Sequence, residues 1–156
     1  MKKLLVAACA ALLLAGCGGS SDKPESKTSC SMSQEGNGAK METNIVYSHV
    51  DNDITRQLQT VTITAPDEKT YKALVPTVKA SSLESKAKDV EGMKYELKFD
   101  DKKYTIVEVM DFDINKISAK DYGSFTNQTI DGSSLKGRMK LDITKESMEK
   151  SGLTCK

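Results

Sequence analysis

Met93-Lys94-Tyr95-Glu96-Leu97-Lys98-Phe99 alternates apolar and charged side chains without a break over residues 93–99. Successive side chains of a strand point to opposite faces, so Met93, Tyr95, Leu97 and Phe99 share one side and Lys94, Glu96 and Lys98 the other. Asp100-Asp101-Lys102 then turns the chain into residues 104–112, where both Ile106/Met110 and Val107/Val109 are apolar. A strand apolar on both faces belongs in the middle of a sheet. The stretch therefore predicts an antiparallel hairpin with one amphipathic arm and one central arm.

The same period of two runs through residues 30–65. Cys30, Met32 and Gln34 lead to Gly36-Asn37-Gly38, and Met41, Thr43, Ile45 and Tyr47 lead to Asp51-Asn52-Asp53, both turn signals. Beyond them Ile54 and Leu58 share one face while Val61 and Ile63 fall on the other, so a β-bulge near Thr60 is expected to bury both sets. Three antiparallel strands result. Between the two groups, Tyr71, Leu74, Val75 and Val78 recur at helical spacing after Pro66-Asp67, and Pro76 predicts a kink or two consecutive helices over residues 67–88. Residues 113–137 show no sustained period, and a last helix is expected at about 144–151 with Met148 inward and Gly152 as its cap, Met139, Leu141 and Ile143 marking either a short strand or an earlier start of that helix. The fold class is α+β: an antiparallel sheet of about five strands with a long kinked helix and a C-terminal helix on one face.

The first residues carry a different message. Lys2-Lys3, the apolar block of residues 4–15 and the small residues before a cysteine have the order of a secretory signal peptide. As a helix the block spans about 18 Å against a hydrocarbon core of about 30 Å, so it is too short to cross comfortably. Leu14-Ala15-Gly16-Cys17 resembles the lipobox of bacterial lipoproteins. That resemblance implies cleavage before Cys17 and a diacylglyceryl group on its sulfur. Residues 1–16 are then a signal peptide, residues 17–29 a lipid-anchored flexible linker with a mean span of about 20 Å, and residues 30–156 a single extracytoplasmic domain. Cys9 leaves with the signal.

Removing residues 1–16 takes away Lys2 and Lys3 and leaves a net charge of about −1, which gives no reason to expect a nucleic-acid partner. A domain of roughly 125 residues buries about two-thirds of its unfolded surface, enough for one core. In an oxidising compartment Cys30 and Cys155 read as a disulfide tying the two ends of the domain together, with a pair of free thiols as the alternative. A redox dithiol would ask for Cys-x-x-Cys and a zinc site for four ligands, where this chain offers one histidine.

The lipobox, the two N-terminal strands, Ala65-Pro66 leading into a helix with an internal Pro76, Val90-Glu91-Gly92-Met93-Lys94-Tyr95 and the terminal Met148-Glu149-Lys150-Ser151-Gly152-Leu153 together resemble the YehR-like bacterial lipoproteins. The likeness covers about residues 28–156. It implies an α+β fold of unknown function on the outer face of a cell membrane, and carries over no catalytic or binding residue.

Read on their own chemistry, the candidate groups are few. His49, beside Asp51 and Asp53, is the single histidine and has no nucleophile placed by sequence; a surface strand position accounts for it. The pairs Asp51/Asp53, Asp100/Asp101 and Asp111/Asp113 lack the spaced ligands of a calcium loop and read as solvated turns and strand ends, so no metal or other cofactor is expected. Lys72, Lys79 and Lys86 form a seven-residue stripe, either a helix face in water or a contact to an anionic surface. Tyr122 and Phe125, with Asn127 and Gln128 following, are the candidate partner-binding residues, the plain alternative being rings that plug the core edge. The expected function is a non-enzymatic binding or interaction module at the cell envelope, contacting an envelope protein or a small ligand. The other readings are an envelope enzyme acting on wall or lipid precursors through carboxylates, and an inhibitor of another envelope protein acting through residues 118–137.

Overall fold

In a computed structural model, which describes residues 23–36 and 38–156, the chain runs β1 (Ser26–Gly36), β2 (Ala39–Val50), β3 (Asp53–Thr64), α1 (Glu68–Ala80), α2 (Glu84–Ala87), β4 (Met93–Asp100), β5 (Thr105–Asp113), α3 (Ala119–Thr126), α4 (Leu141–Lys150) and β6 (Thr154–Cys155). The strands form one antiparallel sheet in the order β4-β5-β3-β2-β1-β6. The architecture is the expected α+β one. Its sixth strand is the short β6, which joins the β1 edge through Cys30↔Cys155 and Ser31↔Thr154. The signal peptide and Leu14, Ala15, Gly16 and Cys17 lie outside the described residues.

The hairpin forms as its alternation predicts, and β5, flanked by β4 and β3, is interior. Directly paired residues of antiparallel strands share a face, so the register defines rows across the sheet. One row is Thr28, Tyr47, Gln57, Phe112 and Met93; the next is Cys30, Ile45, Gln59, Met110 and Tyr95. These rows carry the main core, which α3 and α4 cover through Tyr122, Phe125, Leu141 and Met148. At the other end of the same face, α1 lays Tyr71, Leu74, Val75 and Val78 on Ile63, Leu97, Phe99 and Ile106.

Three sequence expectations shift. β1 begins at Ser26, so residues 26–29, expected in the linker, pair with β2 from Ser26↔His49 onward, and Ser29 exchanges two backbone hydrogen bonds with Lys156. The break between the two helices falls not at Pro76, which α1 accommodates, but after Ala80. There the Ser81 hydroxyl donates to the Val78 carbonyl and the Ser82 hydroxyl accepts from the Glu84 amide, serine hydroxyls replacing helical partners. The β-bulge lies at Thr55 rather than near Thr60: Ser48 pairs with Arg56 and His49 with Ile54, leaving Thr55 without an opposite number. Ile54 then shares the core face with Gln57, Gln59, Val61 and Ile63, and Leu58 turns to the other side.

The ends are closed. Cys30, fully buried, is joined to Cys155 by a disulfide. α4 starts at Leu141, earlier than 144, because the Asn52 side chain accepts from the Asp142 amide and donates to the Asp142 carboxylate, docking the β2–β3 turn on the helix N-terminus. Gly152, at φ 92°, ends it as expected, with Gly152 N–H on Glu149 O and Leu153 N–H on Met148 O. Among the described residues no helix is long and apolar enough to cross a membrane.

Candidate functional site

Residues 113–137, which showed no period in sequence, contain α3, and its placement closes a cavity lined by the buried polar side chains Tyr47 and Gln57. The Ser118 hydroxyl accepts from the Asp121 amide at 3.0 Å and donates to its carboxylate at 2.6 Å, capping the helix. At the other end Asn127 adopts the left-handed conformation and Gln128 N–H returns to the Gly123 carbonyl at 3.0 Å. The chain folds back so closely that a Cβ on Gly123 would stand 2.4 Å from the Gln128 carbonyl oxygen. Gly123→Ala is expected to cost about 1–3 kcal/mol, since the obstacle is backbone and the loop must move; urea denaturation checks it.

The helix sets Tyr122 edge-on to Phe112, ring centroids 5.2 Å apart, and Phe125 at 6.3 Å from the same ring. Tyr122 is a buried member of the core cluster, and Phe125, partly buried, packs against it. They wall a cavity of ≈ 280 Å³ between the sheet and the α3/α4 layer. Its floor is built from the two sheet rows, with Tyr47 and Gln57 side by side in one and Ile45, Gln59 and Met110 in the other. Thr126, Gln128 and Met148 complete the wall.

The polar side chains that line this cavity are neutral, and Tyr47, Gln57 and Tyr122 among them are buried, while Gln59 and Thr126 are half-buried and Gln128 is exposed. Tyr47 is 1% exposed and Gln57 4%. The Tyr122 hydroxyl donates to Gln57 Oε1 at 2.8 Å, which leaves the two amide hydrogens of Gln57. The Tyr47 hydroxyl forms no hydrogen bond to any described residue. No buried side-chain polar atom among the described residues is sealed off without a partner, so these donors keep some accessible surface, and both side chains line the cavity.

Burial pushes the Tyr122 hydroxyl up to about 12, and burial together with the neighbouring Tyr122 pushes Tyr47 well above the ordinary tyrosine range. Neither exchanges its proton near neutrality. A hydroxyl whose folded value is raised above 10.0 supports the fold fully below that pH, and the support is lost as pH rises through the folded value. Stability is therefore expected to stay level up to about pH 10 and to fall towards pH 12. Tyrosinate absorbance recorded with circular dichroism checks this: the two rings ionise late and together with unfolding.

The other candidates are placed as structural groups. His49 Nδ1 lies 2.8 Å from the Asp51 carbonyl oxygen and Nε2 3.2 Å from the Thr28 hydroxyl, so both ring nitrogens are engaged. Asp51 pairs with Lys23, Asp53 with Lys140, Asp111 with Arg56 and Asp113 with Lys116, while Asp101 accepts from the Tyr71 hydroxyl and Asp100 from two turn amides. Among the described residues no three His, Cys, Asp or Glu side chains group as metal ligands. The lysine stripe is divided: Lys72 pairs with Glu68, Lys79 sits 5.0 Å over the Phe99 ring, and Lys86 belongs to a separate helix. A larger open groove of ≈ 640 Å³ holds Arg56, Asp111, Asp113 and Lys116. Its main charges satisfy one another, which leaves the smaller cavity as the better site.

Sequence reading missed Gln57, Gln59 and Tyr47 as site residues. Tyr47 was visible only as a core-facing alternation, and the misplaced bulge turned both glutamines outward. One signal for α3 was present, Ser118-Ala119-Lys120-Asp121, a Ser-x-x-Asp capping pattern.

No known family model matches the chain, and no curated protein matches its sequence. Among solved structures, an NMR structure of a protein from Streptococcus pneumoniae TIGR4 is similar with a TM-score of 0.55 and 14% identity, over 100% of this chain and 98% of that one. The NMR structure of the E. coli YehR protein is similar with a TM-score of 0.57 and 16% identity, over 86% of this chain and 93% of that one. At such identities the likeness is one of architecture: the fold is YehR-like.

Proposed function

We propose that this chain is a YehR-like bacterial lipoprotein, anchored through diacylglyceryl-Cys17 to the outer face of a membrane and acting there as a non-enzymatic binding module. The observation that carries the binding role is the cavity under α3, with two side chains more than nine-tenths buried whose donors have no partner among the described residues. Groups of that kind are normally satisfied, by water or by a ligand. Its lining is neutral, and its tyrosines hold their protons far above neutral pH, which suits recognition better than acid–base chemistry.

The anchor reading rests on the order of residues 1–17, and the Cys30–Cys155 bridge is consistent with an oxidising compartment. Two acyl chains hold a protein stably where one does so marginally. With β1 starting at Ser26 and Lys23 paired to Asp51, the tether from Cys17 is shorter than the sequence suggested. The Asp51–Asn52 end of the sheet would then face the bilayer. An intact mass of membrane-extracted protein, before and after reduction, tests the reading: a lipid-modified Cys17 as first residue supports it, and an unmodified cysteine or a retained signal sinks it.

A further inference from the structure

We propose that the cavity beneath α3 binds a small uncharged molecule that presents a carbonyl oxygen to Tyr47 and Gln57 and an apolar body to the surrounding rings and methionines. The inference deepens the binding-module reading and rests on it for its biological setting.

The hydrogen-bond inventory decides the polar end of the ligand. Gln57 Oε1 already accepts from Tyr122, so what remains of that side chain is two N–H donors. Tyr47 is its direct cross-strand neighbour and adds an O–H with no acceptor among the described residues. Donors so placed ask for an acceptor, and an amide, ester or ketone oxygen can take two of them at once.

The rest of the lining decides the body. Ile45, Met110, Phe112, Phe125 and Met148 supply apolar surface, with methionines able to adapt to an irregular shape. Among the described residues no lysine, arginine, histidine, aspartate or glutamate lines the cavity. An ionised ligand would leave its water with no opposite charge to meet, at a cost that outweighs a few neutral hydrogen bonds. At ≈ 280 Å³ the space is near the lower limit of about 300 Å³ for small-molecule sites, so the ligand is small.

The test uses the mature lipidated protein in detergent micelles, acetanilide as a neutral carbonyl probe and phenylacetate as a charged one, followed by NMR and calorimetry. Acetanilide is expected to shift resonances of Tyr47, Gln57 and Phe125 and to bind at least tenfold more tightly than phenylacetate. Tyr47→Phe removes only a hydroxyl that no described residue uses. It should leave the melting temperature unchanged and weaken acetanilide about tenfold. Equal binding by the two probes, or unchanged affinity in Tyr47→Phe, overturns the proposal. So does the absence of shifts at millimolar acetanilide, which assigns the space to water alone. Acetanilide binding by a protein whose Cys17 proved unmodified would keep the site and remove the envelope setting; a lipidated protein that ignored acetanilide would do the reverse.

Discussion

Replacing Cys30 and Cys155 together by alanine is expected to destabilise the domain by about 2–5 kcal/mol, the chain-entropy model giving about 5 kcal/mol for a bridge closing so long a loop. The two cysteines are 125 residues apart and the bridge closes nearly the whole described chain. Without it the unfolded ensemble gains all the freedom of its two ends. The folded state loses little directly, because β6 is also held by Cys30↔Cys155 backbone pairing and by the two Ser29–Lys156 hydrogen bonds. A domain of this size loses roughly 4 °C of melting temperature per kcal/mol, so a fall on the order of 10 °C is expected. Thermal scans with and without reductant, compared with the double variant, measure it. Equal melting temperatures in all three would mean that the strand pairing alone holds the C-terminus.

Phe112→Ala is expected to cost about 3–5 kcal/mol, the range for removing a fully buried phenylalanine. Its side chain is 0% exposed and occupies the sheet row between Gln57 and Met93, with Tyr122 and Phe125 packed on its ring from α3. Truncation opens a void next to an existing cavity, so the helix above has two empty volumes to settle into. The loss should then exceed that of Phe99→Ala, because Phe99 is only partly buried and packs under α1 in the separate cluster. Denaturant midpoints of the two variants decide this, and α3 amides should lose hydrogen-exchange protection first in Phe112→Ala. Equal midpoints would show that the cavity wall contributes no more to stability than the α1 cluster.

Much of the architecture was legible because period two is a strong signal wherever a sheet has one covered face. Met93, Tyr95, Leu97 and Phe99 alternate with charges, and all four face the helices. The turn at Asp51-Asn52 and the Gly152 cap were equally readable, since the residues those conformations favour stand there. The helix over residues 119–126 was not, for it is little more than two turns long and most of its apolar contact comes from Tyr122 and Phe125 alone. A segment that short does not establish a period of 3.6.

The sequence by itself determined the class of fold, the interior position of β5, the pairing candidates among the cysteines and the signal-like N-terminus, because each is written in local order: alternation, turn residues, an apolar run before a cysteine. The candidate site was decided only by tertiary structure. A bulge at Thr55 instead of near Thr60 reverses every side chain between them, sending Leu58 outward and Gln57 and Gln59 into the core face. Pairing alone chooses between those registers, since Ser48 must meet Arg56 while His49 meets Ile54. From the chain in one dimension the Thr60 placement is the more apolar one, since it buries Leu58 as well as Ile54, Val61 and Ile63. The partner strand, and the helix that closes over it, select the one that leaves two polar groups facing a cavity.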